Sequence, residues 1–234
     1  MMVSSPVPHT KKKNFSALGH TNVHLTGYPR MDKWCNDTPL NVNSAILFFT
    51  WRRNLLEATL ADFLNSEYVA TITNLVQELA KARPKLELYY FIHNAIPNQH
   101  IECLAAILRA NCTNIRFVNN NDTQMFNHIF NTSKYLITDY SSVGYDFAYY
   151  KKRTSTFFIP EKFIDGHYIP TKLFYKIKTG PICFDTGSVI KSLNPNEYKK
   201  HQSSAKSFFR FMDSKNCQRA HDVTGQHSAL ATKI

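Results

Sequence analysis

Five short apolar runs, each separated from the next by a helix-like stretch, dominate residues 45–159. Ala45–Phe49 is apolar without a break, the mark of a strand covered on both faces rather than on one. Leu86–Ile92, Ile115–Val118, Tyr135–Thr138 and Ser155–Ile159 repeat the pattern. Between them the apolar period lengthens towards that of a helix. The spacing predicts helix over roughly Asn54–Arg83, broken near Ser66 and ended by Pro84, because proline cannot continue a helix. Further helices are predicted over Pro97–Asn111, Thr123–Asn131 (apolar at Met125, Phe126, Ile129 and Phe130) and Ser142–Tyr150. Strands alternating with helices build βαβ units, so the expected fold class is α/β, a Rossmann-like parallel sheet flanked by helices.

At about 150 residues per domain, a chain of 234 residues is one large domain with tails. Residues 1–22 lack sustained periodicity and read as a flexible leading segment, 23–222 as the folded domain, and 223–234 as a polar tail. The core needs no staples at this size. The five cysteines are scattered with no C-x-x-C pair, which argues against a disulfide framework or a zinc site. No metal and no cofactor is expected. No apolar stretch approaches the ~20 residues of a membrane helix, and no secretory leader is evident, so the expectation is a soluble or peripheral cytoplasmic protein.

The seven glycines never approach the spacing G-x-G-x-x-G or G-x-x-x-x-G-K-[ST]. A Walker-type ATPase and a standard Rossmann dehydrogenase are thereby excluded. Basic residues outnumber acidic ones by 28 to 17, giving a formal charge of +11. Such a balance suits an anionic partner: nucleic acid, a membrane surface or a phosphorylated substrate. The basic clusters Lys11–Lys13, Lys151–Arg153 and Lys199–Lys200 are dispersed, and no nucleic-acid-binding motif is present, so nucleic acid is not the expected partner.

In open parallel sheets, ligands bind beyond the carboxyl ends of the strands. Polar residues stand there after four successive predicted strands: Thr50, Trp51 and Arg52; His93 and Asn94; Asn119–Asn121; and Asp139, Tyr140, Ser141 and Ser142. Ordinary loop polarity accounts for one or two such sets more readily than for four. Within Thr138–Asp146 (TDYSSVGYD), two serines open a helix after a buried strand. A helix start offers unpaired N–H groups and partial positive charge to a phosphate, although one serine there can serve simply as a cap. Asp139 beside a phosphate is repulsive unless it binds a hydroxyl or orients another group, which suggests a substrate carrying both phosphate and hydroxyls.

The segment Leu136–Ala148 (LITDYSSVGYDFA) closely resembles the signature of the CDP-glycerol glycerophosphotransferases, the teichoic acid and capsule polymerases of bacteria. Four other segments agree in order: Val23–Asp32 (VHLTGYPRMD), Ile46–Arg52 (ILFFTWR), Thr179–Leu193 (TGPICFDTGSVIKSL) and Phe208–Asp222 (FFRFMDSKNCQRAHD), the last with Arg219 at a recurrent arginine. The resemblance implies the donor half of a GT-B-type fold. It also implies attack of an acceptor hydroxyl on the β-phosphate of CDP-glycerol with release of CMP.

In that picture Thr50, Arg52, Ser141 and Ser142 hold the diphosphate, Asp146 and Arg219 contact the substrate, and His93 and Asp139 are the catalytic candidates. The resemblance further implies a lipid-linked polyol-phosphate acceptor and a peripheral position at the anionic inner face of the cell membrane. The family's R-x-H-P reads Phe91-Ile92-His93-Asn94 here, and its W-H-G-[TS]-P-x-K motif, which carries the presumed base of the acceptor half, does not occur. A separate acceptor-domain chain is therefore a candidate partner. The alternatives are a transferase using CDP-ribitol, a catalytically inactive nucleotide- or membrane-binding module, and a sugar-nucleotide glycosyltransferase. The last would need acidic ribose or sugar contacts that Phe174–Asp185 hardly offers.

Overall fold

The apolar runs become the strands of one parallel sheet. The computed structural model describes residues 2–3, 24–34, 39–50, 52–92, 95–119, 121–149, 153–163 and 179–231. It divides into two units, a larger one of Thr38–His201 and a smaller one joining Met1–Asp37 with Gln202–Ile234.

In the larger unit the strands are β3 (Asn41–Phe48), β4 (Glu87–Ile92), β5 (Ile115–Asn119), β6 (Ser133–Thr138), β7 (Thr154–Phe158) and β8 (Ile182–Cys183). They lie in the order β5-β4-β3-β6-β7-β8, and every neighbouring pair is parallel. The chain winds outward from β3 to β5 and then returns to lay β6 on the other side of β3. This is the doubly wound order, and its topological switch point falls between β3 and β6. All residues of β6 and β7 are buried, as expected of central strands covered on both faces.

The helical stretch after β3 is three helices: α1 (Arg53–Leu56), α2 (Leu60–Leu64) and α3 (Glu67–Ala82). The expected break at Ser66 is a cap, in which the Ser66 hydroxyl accepts from the Val69 N–H at 3.3 Å. Tyr68, Val69, Ile72, Leu75, Val76 and Leu79 form the buried stripe of α3, at the i, i+3/i+4, i+7 spacing of an amphipathic helix. Full burial of each aliphatic member is worth roughly 1.5–3 kcal/mol. With β3, β4 and α4 (Asn98–Asn111) they make the main core.

Next come α5 (Thr123–Thr132), capped by Asp122; α6 (Val143–Ala148); and α7 (Thr186–Ser192), whose cap Asp185 accepts from the Ser188 N–H at 2.8 Å. Sequence boundaries agree with these elements to within a few residues. The two-residue β8 had no periodicity to reveal it. It is recruited by backbone bonds, from Phe157 N–H to the Pro181 carbonyl and from Ile159 N–H to the Cys183 carbonyl, both at 2.8 Å. Gly180 permits this approach, because a Cβ there would stand 1.7 Å from the Ser155 carbonyl oxygen. The helix α8 (Glu197–Phe208) contains the boundary between the units.

In the smaller unit β1 (Met2–Val3) pairs with β2 (His24–Leu25) in parallel, and a 3-10 helix (Pro29–Trp34) packs with α9 (Asn216–Ala231). Helix continues through Ala231, across the expected start of a tail at 223. Of the leading segment 1–22, residues 2 and 3 are described and form β1; the remainder lies outside the described residues. Among the described residues no helix is long and apolar enough to cross a membrane, and no group of three or more metal-ligating side chains gathers.

Candidate functional site

Phe48 and Thr138 are register partners at the ends of β3 and β6, and the Thr138 hydroxyl donates to the Phe48 carbonyl at 2.5 Å. The two following loops therefore leave the sheet side by side at the switch point. Asp139 ties them together. Its buried carboxylate accepts from the Thr50 N–H (3.0 Å), the Thr50 hydroxyl (2.8 Å), Arg52 Nη1 (3.0 Å) and the Ser141 N–H (3.3 Å). Burial pushes this carboxyl above its ordinary range, while Arg52 and the two Thr50 donors pull it back.

Arg52 is 5% exposed. Its Nη1 also donates to the Thr50 carbonyl at 2.8 Å, and the guanidinium carbon lies 4.9–5.6 Å from the ring centres of Phe163, Tyr140 and Tyr68. Such cation–π contacts offset part of the cost of burying the charge. Behind the box, the Tyr68 and Tyr90 hydroxyls are 3.2 Å apart. Burial pushes Tyr68 up to about 12 and Tyr90 well above its ordinary value, so both stay neutral.

The serines at the start of α6 divide their work. The Ser141 hydroxyl accepts from the Val143 N–H at 3.4 Å, a cap, whereas Ser142 is exposed and makes no side-chain cap bond. Gly144 lets the helix settle on the sheet: a Cβ there would meet the Phe157 ring at 2.5 Å and Thr138 Cγ2 at 3.1 Å. The Ser155 hydroxyl donates to the Gly144 carbonyl at 2.7 Å and fixes the same approach. Asp146 is half-buried in the first turn of α6.

The structure places the expected site residues at several points of the fold. Asp139, expected among the catalytic groups, and Arg52, expected on the diphosphate, are both buried and bonded to each other and to the loops. Thr50 likewise turns its N–H and hydroxyl to Asp139. Arg219, expected at the substrate, lies in the smaller unit and braces it, donating to the Thr26 carbonyl (Nε, 3.3 Å) and to Asp213 (Nη1, 3.1 Å) with the Phe211 ring 3.7 Å away. His93 and Asn94 lie outside the described residues. Sequence reasoning missed Tyr68, Tyr90 and Phe163 as neighbours of Arg52. The first two belong to regular core patterns, and nothing local in Glu161-Lys162-Phe163 marks its ring as the lid of that box.

The first and last of the five sequence motifs meet within the smaller unit. Asp32 accepts from the N–H groups of Asn216 (3.0 Å) and Cys217 (2.6 Å) and from Asn216 Nδ2 (2.7 Å). It thereby satisfies and charge-stabilises the first turn of α9.

Fold and site together define a doubly wound α/β protein with its polar groups gathered at the switch point. The model of the CDP-Glycerol:Poly(glycerophosphate) glycerophosphotransferase family matches residues 4–223, and the chain belongs to that family. Solved structures that share the fold include the wall teichoic acid polymerase TagF (18% identity, TM-score 0.62), with the match covering 100% of this chain and 58% of that one. Another is a putative UDP-N-acetylglucosamine 2-epimerase from Listeria monocytogenes (17% identity, TM-score 0.62, covering 93% and 57%). A third is the UDP-GlcNAc 2-epimerase from Neisseria meningitidis (11% identity, TM-score 0.57, covering 95% and 59%). The chain thus spans less than three fifths of the length of each. A comparison with curated proteins gave no match.

Proposed function

We propose that this chain is the donor-binding half of a CDP-glycerol glycerophosphotransferase that extends a teichoic acid or capsular polyol-phosphate polymer. The observation that carries the reading is the pair of loops after β3 and β6, tied at the switch point by Asp139 in a chain of this family. Ser142, exposed at the start of α6, and the backbone N–H groups beside it would receive phosphate oxygens. Asp146 would meet hydroxyls of the donor. His93, after β4, would donate a proton or hydrogen bond to the phosphoryl oxygen or the departing CMP.

In the reaction an acceptor hydroxyl forms a bond to the β-phosphorus, the bond from that phosphorus to the bridging oxygen breaks, and CMP leaves. The hydroxyl proton goes to a base of the acceptor half, whose W-H-G-[TS]-P-x-K residues this sequence does not contain. That half would come from further sequence or a partner chain. The acceptor would be a lipid-linked polyol phosphate, and the net charge of +11 would help hold the protein at the anionic inner face of the membrane.

Calorimetric titration with CDP-glycerol, with CDP and UDP-glucose as controls, tests the reading. Selective binding of CDP-glycerol supports it, and absence of nucleotide binding overturns it. A CDP-ribitol donor is the neighbouring outcome, separated by titrating both compounds.

A further inference from the structure

We propose that Arg52 is a positioning residue that keeps Asp139 ionised, so that one carboxylate sets the places of the Thr50 and Ser141 amides together and holds donor affinity constant across neutral pH. The argument begins with the atoms that face Asp139. The Thr50 N–H, the Ser141 N–H and Arg52 Nη1 are all donors, and the Thr50 hydroxyl is used as one. Four donors from two loops need an acceptor-only group, which a carboxylate is and a carboxylic acid is not. A proton on Asp139 would either displace one of the N–H donors or force the Thr50 hydroxyl to reverse its bond and accept.

Burial works against the charged form, and Arg52 is the counterweight. Its Nη1 lies 3.0 Å from the Asp139 carboxylate, and the ionisable neighbours Tyr68 from α3 and Tyr90 from β4 are held neutral. The guanidinium has little freedom to serve elsewhere, since the rings of Tyr68, Tyr140 and Phe163 and the Thr50 carbonyl define its position. Without it, desolvation would carry the Asp139 carboxyl upward towards neutrality. The loops would then come apart as pH falls through the new value and rejoin above it.

The amide part of this inference stands on geometry alone; the affinity part rests on the reading that these loops bind the donor. The test is a 15N NMR pH titration from 5.5 to 8.5 of the Thr50 and Ser141 amides in the wild type, Arg52→Gln and Asp139→Asn, with CDP-glycerol titrations in parallel. In the wild type neither amide should titrate. In Arg52→Gln both should shift with one common midpoint, and affinity should fall about tenfold on the acid side, the scale of one charge-assisted bond. Asp139→Asn should sit near the acid limit at every pH. Arg52→Lys, which keeps the charge, should restore the flat profile, and Asp139→Asn carries the test if the glutamine variant does not fold, since wild-type amide shifts in it would overturn the proposal.

Amides in Arg52→Gln that do not titrate, or that shift with separate midpoints, overturn the proposal. Amides that titrate as stated in a protein that binds no CDP-glycerol leave the positioning role intact and reject the donor reading instead.

Discussion

The side chain of Asn216 occupies the space that Gly27 leaves empty. Its Oδ1 lies 1.9 Å from where a Cβ would stand at Gly27, and Gly27 itself has φ of +82°. The glycine of the first motif thus serves the asparagine of the last, and Asp32 and Arg219 secure the same junction from either side.

Gly27→Ala should therefore destabilise the smaller unit for two reasons. The left-handed backbone alone costs an L-residue about 1–2 kcal/mol, and Asn216 must also move. Gly225→Ala is the matched control, since it lies in α9 with nothing within 4 Å of its added Cβ. That change should stabilise by about 0.5–1 kcal/mol through helix propensity. Urea melts of the two variants, read by circular dichroism, should move in opposite directions.

Gly180→Ala should be worse, because its neighbour is backbone that cannot rotate away. The added Cβ would meet the Ser155 carbonyl, so β8 must leave the sheet or β7 must bend. A loss of about 3 kcal/mol is expected, at the upper end for overpacking. Gly187→Ala, whose nearest contact is the Asp185 carboxylate at 3.2 Å, should lose much less. Comparable melting temperatures for the pair would refute this account of the G-P-I segment.

Arg52→Met and Asp139→Ala should each cost about 3–5 kcal/mol, since each strands a buried charge. The double variant should cost clearly less than the sum. A double-mutant cycle in urea measures the coupling, and additivity would mean that the two charges do not depend on each other.

Acid should release the smaller unit through Asp32. Its burial alone would raise the carboxyl, but the hydrogen bonds from Cys217 and Asn216 outweigh that and hold it below its ordinary value. A carboxyl lowered on folding contributes stability that is complete above its unfolded value of about 3.9 and is lost as pH falls through the folded one. Asp32→Asn should thus melt lower than wild type at pH 7, and the gap should narrow as pH falls below about 3.9. A gap that stays constant would show that the ionised carboxylate is not what matters.

Ser142→Ala should weaken CDP-glycerol binding several-fold, about one hydrogen bond's worth, with an unchanged melting temperature. Ser141→Ala should lower stability as well, because its hydroxyl caps α6. Calorimetry beside thermal melts separates the two.

The sheet was legible because its central strands are buried on both faces and so read as unbroken apolar runs, as Ala45–Phe49 does. The break expected near Ser66 and the helix expected from Thr123 also appear, and the structure adds their caps, Ser66 and Asp122. What sequence could not show was direction. Asp139 and Arg52 follow strand ends, the edge at which ligands bind in open parallel sheets generally, yet both are buried, because each finds its partner across the switch point rather than along the chain. Nor does periodicity cover pairs such as Asp32 with Cys217, whose meeting depends on the route of everything between them.

The smaller unit joins segments that lie on either side of the sheet in sequence, and this fixes an order of assembly. During synthesis the sheet has all six strands once Cys183 has emerged, and it can begin to fold while the chain is still growing. The segment around Gly27 and Asp32 is made before the sheet but must wait for Asn216 and Cys217, which follow it. Until then the carboxylate of Asp32 and the hollow beside Gly27 have no occupant. A polypeptide interrupted a few residues before α9 would retain every strand of the six-stranded sheet and still leave the segment around Asp32 unsecured.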